Sequence, residues 1–177
     1  SAGKFVNLFE EKVANYTGAK FAIACSNATS ALFISLKILG VKRDEEVIVP
    51  TLTFIAPVNT IKYLGAEPIF MDSDDFCNID VNKTIEFIES ETEFKNNISY
   101  NKKTGKIVRA VLPVHVFGNA VDLERLQNVC AERNIVIVED ASESLGTVYS
   151  KGKLKGKHTG LIGHMGCISF NGNKILT

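Results

Sequence analysis

Apolar residues recur at steps of three and four along several segments of the chain, which is the spacing of one face of an α-helix. The first such segment runs from Phe5 to Tyr16 and stops near Gly18, and the second is the almost wholly apolar stretch from about Ala28 to Leu39. Three more helices are predicted from Phe54 to Leu64, from Asp80 to about Glu89, and after Asp122, where Leu123, Leu126 and Cys130 share a face.

Short apolar runs between these helices predict β-strands, and they cover residues 21–25, 46–49, 67–71, 107–116 and 135–138. Short apolar strands that alternate with helices are typical of a mostly parallel sheet covered on both faces. We therefore predict one α/β layered domain. The stretch from Glu91 to Gly105 is polar and rich in Asn and Lys, and we interpret it as a surface excursion.

The composition and charge of the chain are those of an ordinary globular protein and differ from those of a nucleic-acid-binding protein. At 177 residues, 45% hydrophobic and 23% charged, the chain is long enough for one packed domain of ordinary globular composition. Twenty Lys and Arg balance twenty Asp and Glu. The basic footprint of a nucleic-acid binder is therefore missing, and we expect no nucleic-acid partner. The basic run Lys151–Lys157 is interpreted as a solvated loop.

The cysteines and the apolar runs bear on location. Cys25, Cys77, Cys130 and Cys167 lie far apart and form no Cys-x-x-Cys pair, so we expect buried free thiols in a reducing cytosol, with no metal site. No apolar stretch is long enough to span a bilayer and no signal peptide is visible, so a cytoplasmic location without a membrane partner is expected. A start at Ser1 without methionine suggests a cut or processed end.

Two side chains carry the most specific chemistry. Asp140 closes the apolar run 135–138, where a buried carboxylate needs a partner, and Lys174 follows a Gly/Asn-rich turn after another apolar run. Pyridoxal phosphate chemistry needs this pair, because a lysine amine forms an imine with the cofactor aldehyde and an aspartate keeps the pyridine nitrogen protonated. The alternatives are a helix cap for Asp140 and an ordinary surface role for Lys174.

The segment Ser26–Ala31 consists of small and hydroxylated residues between a predicted strand and a predicted helix. N–H groups at a helix N-terminus bind phosphate, and the small side chains of Ala28, Thr29 and Ser30 would allow close approach, although Ser and Thr also cap most helices. Phe54, just after the strand that ends at Pro50, would stack on a cofactor ring or belong to the core.

Two further residues are candidates. Glu143 lies near Asp140 if the chain turns there, and it faces either a cofactor or solvent. His115, in the sequence Pro113-Val-His-Val-Phe-Gly118, follows another predicted strand, and we interpret it as a substrate contact, with a structural role as the alternative.

Taken in order, these segments resemble the sugar aminotransferase family of fold type I, whose members are pyridoxal-phosphate enzymes that aminate keto sugars attached to nucleotides. The resemblance covers the chain from end to end. It is carried by Asn27–Leu32, Pro50–Phe54, Leu64–Pro68, Pro113–Gly118, Glu139–Gly146 and Ser169–Lys174. It implies a three-layer α/β/α sandwich that forms part of the large, cofactor-binding domain.

The resemblance also implies roles for individual residues. Lys174 would form the imine, Asp140 would pair with the pyridine nitrogen, and Phe54 would stack on the ring. Thr29, Ser30 and Ser169 would hold the phosphate. Glu143 would lie near the ring hydroxyl, where many members have glutamine.

The resemblance further implies a reaction and a substrate class. Glutamate would donate an amino group to the cofactor, which would then aminate the 4-keto carbon of a nucleotide-linked 6-deoxy sugar, in the biosynthesis of bacterial surface polysaccharide such as lipopolysaccharide. Glu143 and the Asn-Gly-Asn-Lys turn are similar to members that make 4-amino sugars, such as precursors of perosamine, bacillosamine and legionaminic acid. The long segment before Ile107 favours the bacillosamine and legionaminic type.

Family members continue for about as many residues again and build their active site across a homodimer. We therefore expect residues 1–177 to be a partial large domain without the small domain, and to be inactive alone. Two alternative functions stay open. One is a sugar dehydratase of the same family, although those members carry histidine where this chain has Lys174. The other is a nucleotide-sugar binding module without catalysis.

Overall fold

The computed structural model describes residues 3–177, and within them the backbone forms five α-helices, one 3-10 turn and seven β-strands. The helices are α1 Lys4–Thr17, α2 Ala28–Ile38, α3 Ile55–Tyr63, α4 Val81–Ser90 and α5 Leu123–Glu132, and the 3-10 turn is Val116–Gly118. The strands are β1 Glu46–Pro50, β2 Glu67–Met71, β3 Thr92–Lys95, β4 Ile98–Asn101, β5 Val108–Val111, β6 Val136–Asp140 and β7 Met165–Cys167.

Five of the strands form one sheet in the order β2-β1-β5-β6-β7, and every neighbouring pair is parallel. Helix α3 connects β1 to β2, and α5 connects β5 to β6. All five residues of β1 are buried, as expected for a central strand that is covered on both faces. The predicted α/β fold with a mostly parallel sheet is confirmed.

The core is divided by the sheet into two apolar clusters, one on each face. One cluster packs α4 and α5 against the sheet and includes Ile48, Ile88 and Leu126, and the other packs α2 and α3 and includes Leu32 and Ile61. Successive strand residues point to opposite faces. Ile48 therefore joins the first cluster, while its neighbours Val47 and Val49 join the second. This arrangement gives the three α/β/α layers.

The strand predicted at residues 21–25 is not formed. This segment makes no backbone–backbone hydrogen bond to another strand within residues 3–177, and Phe21 and Ile23 are 74% and 82% exposed. A β-strand needs a partner strand for its N–H and C=O groups, and apolar composition alone does not supply one. Helix α1 does not have this requirement, because a helix pairs its N–H and C=O groups within itself. It forms as predicted although its Phe5 and Tyr16 side chains are largely exposed.

The polar surface excursion predicted between Glu91 and Gly105 contains an antiparallel hairpin of β3 and β4, which the sequence pattern did not predict. Its two-residue turn is Asn96-Asn97, and both residues have positive φ, 52° and 63°. Two such residues are typical of the tight turns that match the twist of a hairpin, and asparagine tolerates this conformation better than most residues.

None of the helices in residues 3–177 combines the length and the apolar character needed to cross a membrane.

The packing of β7 against the chain before it requires a glycine at position 166. A Cβ atom added to Gly166 would lie 2.1 Å from the carbonyl oxygen of Gly160, which is far inside van der Waals contact. We expect Gly166→Ala to lower the free energy of unfolding by roughly 3 kcal/mol, because backbone must move to admit the methyl group. Gly172→Ala is the matched control, since nothing lies within 4 Å of its added Cβ. Urea unfolding that gives equal midpoints for the two variants would contradict this packing.

Candidate active site

A cleft of about 480 Å³ lies at the carboxyl ends of the parallel strands. The segments after β1 and β5, the last residue of β6 and the segment after β7 all contribute to it, together with the start of α2. Ligands bind at this edge of open α/β sheets because loops and helix N-termini converge there. The lining residues are Asn27, Ala28, Thr29, Leu32, Leu52, Thr53, Phe54, Ala56, Val114, Val116, Phe117, Asp140, Ser142, Glu143, Ser169, Asn171, Asn173 and Lys174.

The cleft brings together seven of the nine candidate residues that the sequence predicts. They are Ala28, Thr29, Phe54, Asp140, Glu143, Ser169 and Lys174. Ser30 and His115 do not line the cleft. Sequence reasoning assigned no role to the lining residues Thr53, Phe117, Ser142 and Asn173, because nothing in their residue types distinguishes them from ordinary loop residues.

The first wall of the cleft is the N-terminus of α2. The Asn27 side chain caps this helix by accepting a hydrogen bond from the N–H of Ser30 at 2.8 Å, and Ala28 and Thr29 follow with small side chains at the cleft surface. The Ser30 hydroxyl lies 3.3 Å from that of Ser26. The helix dipole and the N–H groups of the first turn favour an anion at this end.

Asp140 ends β6 at the floor of the cleft, and only 4% of its surface is exposed. Its Oδ1 accepts a hydrogen bond from the N–H of Ser142 at 3.0 Å, and the side chain has no ion-pair partner within residues 3–177. Burial raises the pKa of this carboxyl above its ordinary value, although the hydrogen bonds from Ser142 act in the opposite direction. The alternative of a helix cap is wrong, because residues 141–147 form turns rather than a helix.

Lys174 and Glu143 form an ion pair at the side of the cleft. Lys174 Nζ lies 2.9 Å from Glu143 Oε1, and Glu143 Oε2 accepts the backbone N–H of Phe117 at 3.0 Å. Burial acts to raise the pKa of Glu143, but the hydrogen bonds from Lys174 and Phe117 outweigh it and lower that pKa. Lys174 Nζ also lies 6.0 Å from the centre of the Phe54 ring, and Phe54 is 73% exposed. The amine, the aromatic ring and the buried Asp140 therefore border one space.

The predicted substrate contact of His115 is wrong for the described chain, because its side chain has no exposed surface. Its Nδ1 accepts the N–H of Val121 at 3.0 Å, so the ring proton is on Nε2, which lies 2.9 Å from Glu139 Oε2 and donates to it. His115 thus takes the structural role that was its alternative. It joins the end of β5 to the end of β6.

Sequence reasoning missed Glu139, which is fully buried beside His115. Its two carboxylate oxygens accept backbone N–H groups of Gly160, Ile162 and Gly163 at 2.6 to 2.8 Å, in addition to the His115 proton. Burial acts to raise the pKa of Glu139, but the hydrogen bonds from His115 and from the backbone N–H groups lower it overall. The signal was available, since a charged residue at the end of an apolar strand needs a partner whichever way it points.

No cysteine of residues 3–177 lines the cleft. All four thiols are free, and Cys130 and Cys167 are buried, which raises the pKa of each of these two thiols to about 12. The predicted burial is wrong for Cys25, which is exposed, and Cys77 is half-buried. No group of three or more His, Cys, Asp and Glu side chains in residues 3–177 is arranged to hold a metal ion.

Comparison with known proteins gives one consistent result. A family model described as the DegT/DnrJ/EryC1/StrS aminotransferase family matches residues 1–177. The GDP-perosamine synthases of Escherichia coli O157:H7 and Caulobacter vibrioides are 39% and 36% identical, and each alignment covers all of this chain but only 43% and 42% of the relative. A UDP-2-acetamido-2-deoxy-3-oxo-D-glucuronate aminotransferase of Pseudomonas aeruginosa is 31% identical over 98% of this chain and 43% of that protein.

A solved structure shows the same fold. The crystal structure of a DegT DnrJ EryC1 StrS aminotransferase from Brucella abortus superposes with a TM-score of 0.84 at 32% identity, and the match covers 97% of this chain and 43% of that one. The chain therefore spans less than half the length of the proteins that it matches.

The buried Glu139 network predicts a specific dependence of stability on pH. The pKa of Glu139 is lowered in the folded state, so its carboxylate stabilises the fold above the ordinary glutamate pKa, and this contribution is lost as the pH falls through the lowered value. Glu139→Gln should lower the free energy of unfolding at pH 7 by about 3 kcal/mol, because the amide keeps only one acceptor oxygen. Its NH2 group would face either the N–H groups of Ile162 and Gly163 or the donors Gly160 and His115, and two donors would lose their acceptor. The difference between the variant and the wild-type chain should shrink on acidification.

The matched control is Glu67→Gln, which breaks a surface pair in which both side chains are about half exposed. Thermal unfolding between pH 3 and pH 8 measures both effects. A loss of stability in Glu139→Gln that is the same at every pH would show that the charge of Glu139 is not what the fold uses.

Proposed function

Since this chain belongs to the DegT/DnrJ/EryC1/StrS aminotransferase family, we propose that it forms the cofactor-binding part of an enzyme that transfers an amino group to a keto sugar carried on a nucleotide. The cofactor is pyridoxal phosphate. The chain spans 42% and 43% of the lengths of its two GDP-perosamine synthase relatives, and the activity is therefore proposed for the protein that contains it.

One observation carries the proposal. A lysine amine and a buried carboxylate line the same cleft, although Asp140 and Lys174 are 34 residues apart in the sequence, and the carboxylate has no ion-pair partner among residues 3–177. A carboxylate that is 4% exposed is costly unless a cation compensates it. A protonated pyridine nitrogen is such a cation, and an amine at the cleft surface can bond to an aldehyde.

The other residues of the cleft fit the same cofactor. Ala28 and Thr29 at the N-terminus of α2 would receive its phosphate, and Ser169, whose hydroxyl accepts the N–H of Asn171 at 3.3 Å, lies at the same cleft. The exposed face of Phe54 suits a flat ring. Thr53 adds a buried hydroxyl oxygen that has no hydrogen-bond partner in residues 3–177.

Pyridoxal phosphate supplies an aldehyde that condenses with amines and a ring that withdraws electrons from the bonds of the bound amine. The residues of this chain direct that chemistry. Asp140 would stabilise the positive charge on the ring nitrogen, and Phe54 would hold the ring against its own aromatic face. Lys174 Nζ, once free, takes up and returns the proton that moves during amino transfer, a general acid/base contribution of roughly 10²- to 10⁴-fold.

We further propose that the acceptor is the 4-keto carbon of a 6-deoxy sugar and that the donor is L-glutamate. The relatives named GDP-perosamine synthase support position 4. The relative whose name contains a 3-oxo sugar supports position 3, which is the second candidate. Lysine at position 174 favours amino transfer over dehydration, because the dehydratases that this chain resembles carry histidine there.

We also propose that further chain and a second copy of the protein complete the site. Two aromatic residues of the cleft lining, Phe54 and Phe117, are 73% and 79% exposed. A substrate that is held for reaction needs groups on its other side, because amino transfer requires the reacting atoms to be fixed closely. A small domain and the partner of a homodimer would supply them.

Amino transfer by the protein that contains this chain is the direct test. Offered glutamate and a panel of 4-keto-6-deoxy and 3-keto nucleotide sugars, it should convert a 4-keto sugar to the amino sugar, as measured by mass spectrometry. Lys174→Arg should abolish conversion, because arginine retains the positive charge but cannot condense with an aldehyde. Lys62→Arg, on the exposed face of α3, should leave conversion unchanged.

The cofactor itself can be located in the same protein. Borohydride should fix the cofactor on residue 174 in the wild-type protein and not in Lys174→Arg, as seen by peptide mass spectrometry. Conversion by Lys174→Arg at the wild-type rate would disprove the assignment, and conversion of 3-keto sugars alone would select the second candidate.

Asp140→Asn should separate function from stability. The pKa of Asp140 is raised, so its ionised form destabilises the cofactor-free fold as the pH rises through that value. The neutral amide should therefore leave the cofactor-free protein at least as stable as the wild type, while cofactor affinity falls and amino transfer slows by roughly 10²-fold or more. Unfolding curves, cofactor titration and single-turnover rates measure the three quantities. Unchanged rates would contradict the ring-nitrogen role.

A further inference from the structure

The contacts of Glu143 point to a role apart from the cofactor. Both of its carboxylate oxygens are already used within the chain, Oε1 by Lys174 at 2.9 Å and Oε2 by the N–H of Phe117 at 3.0 Å. The Lys174 side chain is only 14% exposed and that of Glu143 is 34% exposed. By contrast, the pair Lys62–Glu67 at 2.7 Å has side chains that are 50% and 43% exposed, so solvent screens it far more.

Phe117, whose backbone N–H donates to Glu143, has an uncommon backbone conformation. Phe117 has φ 53° and ψ 22°, in the left-handed region that non-glycine residues seldom adopt, and Gly118 follows with φ 84°. The turn is fixed to the segment after β6, because the Thr147 hydroxyl donates to the Gly118 carbonyl at 2.9 Å. A Cβ at Gly118 would lie 3.1 Å from the Glu143 carbonyl oxygen. Phe117 thus presents its N–H to Glu143 from a rigid turn.

We infer that Glu143 is a positioning residue that holds the Lys174 amine in place before the cofactor binds. This inference rests on the proposed function, since it concerns the lysine proposed to bind the cofactor. The charged groups near Lys174 in residues 3–177 are Glu143, in direct contact, and Asp140, which acts at longer range. Glu143 keeps the amine beside the cleft and next to Phe54. It also limits access to the amine, because an aldehyde must displace the carboxylate that lies 2.9 Å from Nζ.

If Glu143 holds the Lys174 amine, that amine should react slowly with other reagents, and this rate can be measured without catalysis. In cofactor-free protein, an acylating reagent such as acetic anhydride should modify Lys174 at least fivefold more slowly than the exposed Lys62. Glu143→Gln should raise the rate at Lys174 by about five- to tenfold, because the charge that holds the ammonium is removed. Peptide mass spectrometry resolves the two lysines in one sample, so each rate is measured against the other.

Two control variants test whether the Glu143 carboxylate itself slows the labelling of Lys174. Glu67→Gln removes the carboxylate of the solvent-screened pair, and it should leave the Lys174 rate unchanged and alter the Lys62 rate less than twofold. Phe117→Gly keeps the backbone N–H and adopts the left-handed conformation readily, so Lys174 should stay slow to react. If Glu143→Gln does not fold, Glu143→Asp replaces it, because a carboxylate shortened by one methylene cannot bridge both partners.

The capture of pyridoxal phosphate gives a second measurement. Borohydride trapping over time should show faster attachment to residue 174 in Glu143→Gln than in the wild-type protein, again by about fivefold. Labelling of Lys174 within twofold of the wild-type rate in Glu143→Gln would overturn the inference, whatever the activity. Faster labelling in a protein that never aminates a sugar would instead support the positioning role and reject the proposed function.

Discussion

The hydrogen bonds of the buried Glu139 carboxylate hold the candidate site together. Three backbone N–H groups from residues 160–163 and the His115 ring donate to it, and the Glu139 and His115 side chains have no exposed surface. A buried carboxylate is tolerated only when such donors compensate its lost hydration. Because the donors come from the end of β5 and from the segment before β7, Glu139 fixes three neighbouring strands relative to one another.

Asp140 follows Glu139 directly, and the two carboxylates have opposite environments. Successive side chains of a strand point to opposite faces, so Glu139 meets the 160–163 segment while Asp140 lies at the cleft. The backbone around Asp140 is fixed on both sides, since its N–H donates to the Pro113 carbonyl and its C=O accepts the N–H of His115. Glu139 is satisfied within the fold, so Asp140, which has no ion-pair partner in the described part of the chain, does not loosen the strand that carries it. A rigid strand end is where an unpaired charge can be held for a ligand.

The sequence predicts most of the fold, because local pattern and tertiary packing agree for most elements. Strand β2 and helix α5 are found as predicted, since the side chains that set their periodicity are also the ones that pack. The prediction and the structure differ where a segment needs a second strand to pair with. Residues 21–25 have strand composition and no neighbouring strand, and residues 92–101 have polar composition but pair with each other through two left-handed asparagines. His115 fails for the same reason, since residue type cannot show whether a histidine at a strand end faces the cleft or Glu139.

The candidate site is predictable only in part, because its residues meet through long-range contacts. Ala28, Phe54, Asp140 and Lys174 lie in four separate segments, and each has an ordinary explanation when it is considered alone. Their meeting is a property of the parallel sheet, which directs the carboxyl end of every strand to one edge. The contacts that refine the site are less visible still. The bond from Phe117 to Glu143 uses a backbone N–H and an uncommon φ, so no side chain records it in the sequence. The residue types of the motifs therefore show what chemistry the chain contains, and the backbone determines which of those groups are free to perform it.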